Sequence, residues 1–237
     1  QLAAPIHMST EIDQVSEEQW HWICRQFRDA TINQTWGFGE VLSGPGNLSH
    51  IVLKRDDSVL AAAQIRTITV PILKSGIAYV GCGPMWRKPC CADDIEALRH
   101  LLTAMRDEYA GRRRLLLRVL PNVFDDATDA ELVCSAFAEA GFTRHESRHK
   151  TLFLELSPSL EELRKGLHQK WRNCLNAAER NSIQIVQGRD VELFDEFRGI
   201  YLDMRARKAY PADIDIHKYA SLQKRVPDDL KPLTIMA

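Results

Sequence analysis

The sequence lacks the features that assign many chains to a class by composition alone. No apolar run reaches the roughly 18 residues that a membrane span needs, and residues 1–7 lack the charged and apolar regions of a signal peptide. Lys and Arg together number 31 against 32 Asp and Glu, so the formal net charge is −1 and no global field attracts nucleic acid or a membrane surface. No Walker loop, paired-carboxylate site or Ser-His-Asp set is recognisable. These absences predict a cytoplasmic protein whose basic sites are local.

Cysteine pairs of the C-x-x-C type are also missing. The six cysteines suit neither a zinc site nor a disulfide framework, so reduced thiols are expected. Cys82 has no recognisable His partner, and a buried, unreactive thiol is favoured over a nucleophile. His145 and His149 would hold a metal only on a helix, and they precede a predicted strand. The sequence therefore predicts no metal site.

The chain has what a globular core needs. Of its 237 residues, 45% are hydrophobic and 27% are charged, which allows one large domain or two small ones. Hydrophobic periodicity and turn residues predict strands at period two and helices at three- and four-residue spacing. Up to residue 156 the predicted strands are His7–Asp13, His50–Lys54, Val59–Val70, Ile77–Cys82, Leu115–Leu120 and Lys150–Leu156. The predicted helices begin at Ser16, run from Asp93 or Asp94 to Tyr109, and span Asp129–Ala140. Leu115–Leu120 is nearly all apolar and is predicted to be buried.

The character of the chain changes after Ser157. Two basic amphipathic helical segments are followed by a strand, two helices and the beginning of another strand. These are Pro158–Gly166, His168–Asn181, Ile183–Val186, Asp190–Arg207, Asp215–Val226 and Leu233–Ala237. The whole pattern predicts an α+β fold with a mixed or antiparallel sheet flanked by helices.

In Asn33–Val41, a Gln and a Trp precede a small aromatic segment, and Tyr79–Met85 is a predicted strand end closed by Gly-Pro. These stretches, in this order, resemble motifs of the Fem-type peptidyltransferases, a GNAT-like N-acyltransferase family. The segment that joins the two halves of the family fold is matched by Thr151–Leu156, Leu160–Leu163, Lys170–Asn173 and Ala177–Arg180. The first helix of the second half is matched by Phe197, Tyr201, Met204 and Arg207-Lys208. The resemblance covers about residues 10 to 225.

The resemblance implies a GNAT-like fold with one complete unit and part of a second. The first unit would span 6–156, a basic helical connector 157–182, and a truncated second unit 183–237. It implies transfer of an acyl or aminoacyl group to the amine of an anionic acceptor related to the cell wall or to polysaccharide. The donor would be aminoacyl-tRNA or acyl-CoA, with no cofactor held by these residues.

Two departures limit what the resemblance implies. The lysine that substrate-binding members place shortly after the Trp is absent, with Leu42 in that region. The Gly-rich loop that cradles the pyrophosphate of coenzyme A is absent after Met85, where the sequence runs Trp86–Cys91. The first unit is therefore not expected to bind coenzyme A in the usual way.

The candidate binding residues each have a structural alternative. Lys170 and Arg172 lie in a cationic stretch that is either a phosphate-binding face, with Arg164, His168 and Arg172 on one side, or a solvated helix face. Arg207 at a helix end matches a substrate-binding arginine of the family, although the helix dipole alone also favours a cation there, and Tyr210 would assist it.

Two aromatic residues complete the candidate site. Trp36 would line a groove or cap the core. Tyr79, with Gly83, would shape the sheet where the acyl carbonyl binds, the backbone N–H of Gly83 polarising that carbonyl, or the glycines would mark a bulge. No residue is predicted to act as an acid, base or nucleophile.

Two rival functions remain open at this stage. One is an acyl-CoA-dependent N-acetyltransferase for a small amine, with its donor loop in sequence beyond Ala237. The other is a binding module that keeps the fold without catalysis, favoured by the absent lysine near Leu42.

Overall fold

A five-stranded sheet in chain order, β1-β2-β3-β4-β5, is the centre of the molecule. The computed structural model describes residues 8–70, 75–145, 154–181, 183–208 and 215–237. The first four strands form an antiparallel meander, and β5 runs parallel to β4. The strands are β1 (Met8–Ile12), β2 (Leu48–Arg55), β3 (Ser58–Val70), β4 (Ser75–Gly81) and β5 (Leu116–Leu120).

The helices of this unit begin where the sequence provides caps. Ser16 caps the first helix through a capping box with Gln19, and Asp94 accepts a hydrogen bond from the backbone N–H of Ala97 at the start of the third. Both cap positions confirm the sequence prediction. The helices are α1 (Glu17–Cys24), α2 (Trp36–Ser43), α3 (Ile95–Met105), which continues as a π-helical segment (Arg106–Arg112), and α4 (Ala130–Glu139).

The two faces of the sheet carry different helices. One face packs on α3 and α4 around Leu98, Leu102 and Val133. The opposite face packs on α1 over the first strands, with Trp20 fully buried against Val52. Because neighbouring side chains along a strand alternate between faces, Ala78 and Val80 face α3 while Tyr79 faces the other side.

Residues 115–120 were predicted to form a buried strand, and the prediction of burial was wrong. The strand exists, but β5 is the last strand of the sheet and pairs only with β4 among the described residues. Leu117 and Val119 pack on the core, whereas Leu116 on the other face is 62% exposed. A run of apolar residues does not reveal that one of its faces has no covering helix.

The remaining described elements follow residue 157. They are α5 (Leu160–Gly166), α6 (Gln169–Arg180), β6 (Val186–Gly188), α7 (Val191–Lys208), α8 (Ile216–Arg225) and β7 (Thr234–Met236). The four helices and β7 correspond to predicted elements, whereas β6 begins three residues after the start of the predicted strand Ile183–Val186 and overlaps it only at Val186. Strands β6 and β7 form a separate two-stranded sheet. The predicted strand Lys150–Leu156 lies largely outside the described residues, and its last three residues are exposed and form no strand.

Helix α8 packs on α2, far from it in the sequence. Leu222 and Val226 are buried against Phe38. Arg225 forms ion pairs with Glu40 and Glu17 at the edge of this contact. The last part of the chain thus holds the helix that carries Trp36.

Candidate functional site

A buried glutamine joins α2 to the middle of the sheet. Gln34 is fully buried, and its side-chain amide donates to the Gly81 carbonyl at 2.8 Å. Its side-chain oxygen accepts a hydrogen bond from the backbone N–H of Gln64, also at 2.8 Å. Because a buried amide without partners costs free energy, these bonds fix the segment before α2 on strands β3 and β4.

A second glutamine extends the network to a histidine. The Gln64 side chain donates to the Thr35 carbonyl at 2.8 Å, so its oxygen is the group that faces His50 Nε2 at 3.0 Å. That oxygen can only accept, which makes Nε2 the protonated nitrogen of a neutral ring. Burial lowers the pKa of His50 from its usual value to about 4, against the opposing effects of Gln64 and Asp13.

Trp36 stacks on this histidine. The two rings are parallel within 10°, with centroids 4.2 Å apart, and the indole N–H donates to Glu40 at 3.1 Å. The ring is only partly buried, so one part of it packs on the hydrophobic core while another remains accessible. The structure shows the packing role of Trp36, whereas its role in lining a groove stays a prediction.

Gly83 approaches the buried glutamine closely, and this contact gives a stability prediction. A Cβ at this position would lie 2.7 Å from Gln34 Nε2. The Gln34 amide is held in place, because Nε2 donates to the Gly81 carbonyl and the side-chain oxygen accepts from the Gln64 N–H. We expect Gly83→Ala to lower the free energy of unfolding by about 1–3 kcal/mol, as overpacking does in well-packed cores. Urea denaturation followed by circular dichroism measures the change.

Gly199 on α7 provides the matched control. Nothing lies within 4 Å of a Cβ built there. Because Ala has the higher helix propensity, Gly199→Ala is expected to raise stability by up to about 1 kcal/mol. Equal stability of Gly83→Ala and the wild type would contradict the packing described here.

The proposed role of the Gly83 backbone is wrong. Its N–H donates to the Leu120 carbonyl at 3.1 Å and extends the pairing of β4 with β5. A donor that is already bonded to a strand cannot polarise an acyl carbonyl without breaking that bond. The sequence did not show which carbonyl this N–H would meet.

Tyr79 lies on β4 with its ring beneath a guanidinium group. Arg66 on the neighbouring strand places its Cζ atom 5.0 Å from the ring centroid, a cation–π contact. Burial lowers the pKa of Arg66 from its usual value, and the nearby Tyr79 opposes this effect. Tyr79 and the Gln34 network share one face of the sheet, because Gly81 is two residues from Tyr79 on the same strand.

The cysteines that burial affects are poor nucleophiles. Burial raises the pKa of Cys24 to about 12 and also raises the pKa of Cys82. The Cys24 thiol donates to the Gln34 carbonyl. Since the thiolate is the reactive form, neither group is prepared to form a covalent intermediate.

The predicted cationic side formed by Arg164, His168 and Arg172 does not exist. The helix breaks at Leu167, so Arg164 lies on α5 and Arg172 on α6. Arg164 donates to Glu179 across the hairpin, with N–O distances of 2.8 and 2.6 Å. Three- and four-residue spacing places side chains on one face only while a helix is continuous.

The remaining cationic candidates differ in their contacts. Arg172 donates to the Lys165 carbonyl at 3.1 Å, near the last turn of α5. Lys170 and Arg207 are exposed and have no ion pair within the part of the chain that the structure describes. Tyr210, like His149, lies outside the described residues.

The predicted site residues therefore fall into separate groups. Trp36 and Tyr79 lie on the same face of the sheet, while Lys170 and Arg172 lie on α6 and Arg207 on α7. No hydrogen bond or ion pair among the described residues joins these cations to either aromatic residue. Sequence reasoning missed His50 and Gln64, although a polar side chain on each of two adjacent apolar strands was a signal for a buried pair.

Comparison with solved structures supports the predicted fold. A crystal structure of FemX matches with a TM-score of 0.66 and 19% identity, over 92% of this chain and 55% of that chain. The chain thus spans little more than half the length of FemX. No protein-family model and no curated protein matches it. The chain has an α+β, GNAT-like fold similar to that of FemX, as the motifs predicted.

Smaller acetyltransferase structures match less well. An aminoglycoside acetyltransferase from an uncultured soil metagenomic sample, in complex with trehalose, has a TM-score of 0.40 and 12% identity over 62% of this chain and 97% of that chain. A GCN5-related N-acetyltransferase from Ralstonia eutropha JMP134 has a TM-score of 0.39 and 13% identity over 62% and 99%. These scores do not by themselves establish a common fold.

Neither a metal-binding cluster nor a membrane-spanning helix occurs among the described residues. No group of three or more His, Cys, Asp or Glu side chains within those residues is placed to hold a metal ion. None of the described helices is both long enough and apolar enough to cross a membrane.

Proposed function

We propose that the chain belongs to an N-acyltransferase that transfers an acyl or aminoacyl group to the amine of an anionic acceptor. The observation that carries this proposal is the fold, which matches FemX over 92% of the chain. In this proposal residues 6–156 form the first unit, 157–182 the connector, and 183–237 the beginning of a second unit. The donor is aminoacyl-tRNA or acyl-CoA, both of which are cytoplasmic.

The chemistry is a direct transfer between two bound substrates. The amine nitrogen forms a bond to the acyl carbonyl carbon, the bond from that carbon to the donor oxygen or sulfur breaks, and the amine loses a proton. The raised pKa values of Cys24 and Cys82 support a route without a thioester on the enzyme. Holding two reactants in position is itself a large source of rate acceleration.

The accessible cations would hold the acceptor. Lys170 and Arg207 are exposed and have no carboxylate partner among the described residues, so their charges are available to an anion. Arg172 would contribute the guanidinium N–H groups that the Lys165 carbonyl leaves free. Trp36, Tyr79 and Tyr210 would contact the uncharged parts of the substrate.

Replacing Arg207 tests this assignment. We expect Arg207→Ala to weaken the binding of a nucleotide-linked muropeptide by about 10- to 100-fold, because a charge-assisted bond to phosphate contributes roughly 1.5–3 kcal/mol. Isothermal titration calorimetry measures the affinity. Lys224→Ala, which removes an exposed cation on α8, is the control and should bind as the wild type does. Equal affinity of all three proteins would remove Arg207 from the site.

A binding module without transfer activity is the second candidate. The observation in its favour is the Gly83 N–H, which is bonded to Leu120 and is not free to stabilise a tetrahedral intermediate. Incubation with radiolabelled aminoacyl-tRNA or acyl-CoA and an amine acceptor distinguishes the two. Binding of the acceptor without any transferred label would support the module and contradict the transferase.

A further inference from the structure

A row of charged and aromatic side chains crosses the uncovered part of the sheet. Arg66 on β3 pairs with Tyr79 on β4, and Tyr79 pairs in register with Arg118 on β5. Residues directly paired across strands share a face. Leu117 and Val119 pack on the core of the opposite face, which confirms that Arg118 points to the side of Tyr79. The three residues form what we call the Arg-Tyr-Arg row.

Neither arginine of the Arg-Tyr-Arg row has an anionic partner. No ion pair or hydrogen bond joins Arg66 or Arg118 to any residue that the structure describes, and the Arg66 guanidinium lies over the Tyr79 ring. Most other arginines up to residue 145 form ion pairs, as Arg25 does with Asp229 and Arg113 with Asp13, whereas Arg114 has none among the described residues. Arg66 and Arg118 differ from Arg114 because they flank one aromatic ring on the same face of the sheet.

The cost of leaving Arg66 unpaired indicates that an anion belongs here. The side chain is only partly exposed, and its burial favours the neutral form. A cation that loses part of its hydration without gaining a carboxylate destabilises the folded protein. A bound anion would offset this cost, and the position is accessible because Arg118 beside it is exposed.

The next row of the sheet is apolar. Ile68, Ile77 and Leu116 occupy β3, β4 and β5 one step further along, in register with one another. Their exposed fractions are 65%, 37% and 62%, which is high for three adjacent aliphatic side chains. A ligand that covers both rows would be anionic at one end and apolar beside it.

The spacing of the two arginines favours phosphate. Adjacent strands lie about 4.8 Å apart, so the Cα atoms of Arg66 and Arg118 are separated by about 10 Å, and both long side chains can converge on one group above Tyr79. A carboxylate has only two oxygens in one plane, whereas a phosphate monoester has three terminal oxygens on a tetrahedral centre and can accept a bidentate pair from one arginine while bonding the other. The Tyr79 hydroxyl provides a further donor between them.

We propose that the Arg-Tyr-Arg row binds the phosphate group of an organic phosphate whose apolar part lies on Ile68, Ile77 and Leu116. This site shares only Tyr79 with the proposed transferase function and uses none of Lys170, Arg172 and Arg207. Binding to the row can therefore succeed or fail independently of acyl transfer.

Calorimetric titration with hexyl phosphate, inorganic phosphate and hexanol tests both halves of the proposal. Hexyl phosphate should bind more tightly than inorganic phosphate, and hexanol should bind least. Higher ionic strength should weaken the binding of both anions. Failure of hexyl phosphate to bind would overturn the proposal, and equal binding of the two phosphates would remove the apolar row from it.

Substitutions then assign the binding to the row. Arg118→Gln and Arg66→Gln should each weaken hexyl phosphate binding about tenfold or more, and the double variant should not bind measurably. Arg114→Gln, which removes another exposed arginine without an ion pair, is the matched control and should bind like the wild type. Arg118 is exposed, so its replacement leaves the fold intact, which circular dichroism verifies. Unchanged affinity of Arg118→Gln would place the ligand elsewhere and sink the proposal.

Discussion

A Gln34→Leu variant is expected to lose about 2–5 kcal/mol of the free energy of unfolding. Leucine has a similar volume but cannot accept from the Gln64 N–H or donate to the Gly81 carbonyl. Each buried polar group that loses its partner costs about 1–3 kcal/mol. Chemical denaturation in urea, monitored by tryptophan fluorescence, measures the shift in midpoint.

The loss of stability in Gln34→Leu depends on the burial of Gln34. The control is therefore the same substitution at an exposed glutamine. Gln184 is exposed on the chain before β6. Gln184→Leu should change stability by less than about 0.5 kcal/mol, as surface substitutions usually do. If both variants unfold at the wild-type midpoint, the amide of Gln34 does not hold the sheet to α2.

Protonation of His50 is expected to lower the free energy of unfolding by about 3 kcal/mol as the pH is lowered from 6.5 to 4. The pKa of the folded state is about 4, below the usual 6.5 of an unfolded chain. Between these values the unfolded state binds a proton that the folded state does not, so protonation favours unfolding. Below about pH 4 both states are protonated, and this contribution stops changing.

The difference in the free energy of unfolding between the wild type and His50→Gln isolates the contribution of His50. Burial also raises the pKa of Asp29, which contributes with the opposite sign, so the wild-type curve alone sums several groups. In His50→Gln an amide can still donate to Gln64, and the titration is gone. The stability difference between wild type and this variant should shrink as the pH falls from 6.5 to 4. A difference that stays constant would mean that His50 is accessible to protons in the fold.

Local pattern was sufficient to predict most of the fold. The alternation of apolar residues gave the β2–β3 hairpin, and Ser16 and Asp94 marked helix starts because a cap must satisfy free N–H groups. The burial of β5 could not be predicted, because it depends on what covers Leu116 in three dimensions. Helix α2 followed from the resemblance rather than from its own composition, since Gly37 and Gly39 weaken a helix that packing stabilises.

The candidate site was less predictable than the fold. Trp36 and Tyr79 were recognised from motifs, but the buried partners His50 and Gln64 become apparent only when strand pairing places them opposite each other. The break at Leu167 separates Arg164 from Arg172. The sequence indicated this break, because the predicted helices end at Gly166 and begin again at His168, whereas the one-sided cationic face required a continuous helix. Arg66 and Arg118 were ordinary strand residues until register placed both beside Tyr79.

The contact of α8 with α2 also constrains how the protein can be made. Phe38 leaves the ribosome long before Val226, its partner across this contact. At roughly 5–20 residues per second, the nascent chain waits about 10–40 s before that partner is synthesised. During translation the apolar side of α2 is open to chaperones and to neighbouring nascent chains. Slow codons between these two segments would prolong that interval and promote aggregation of the unfinished polypeptide.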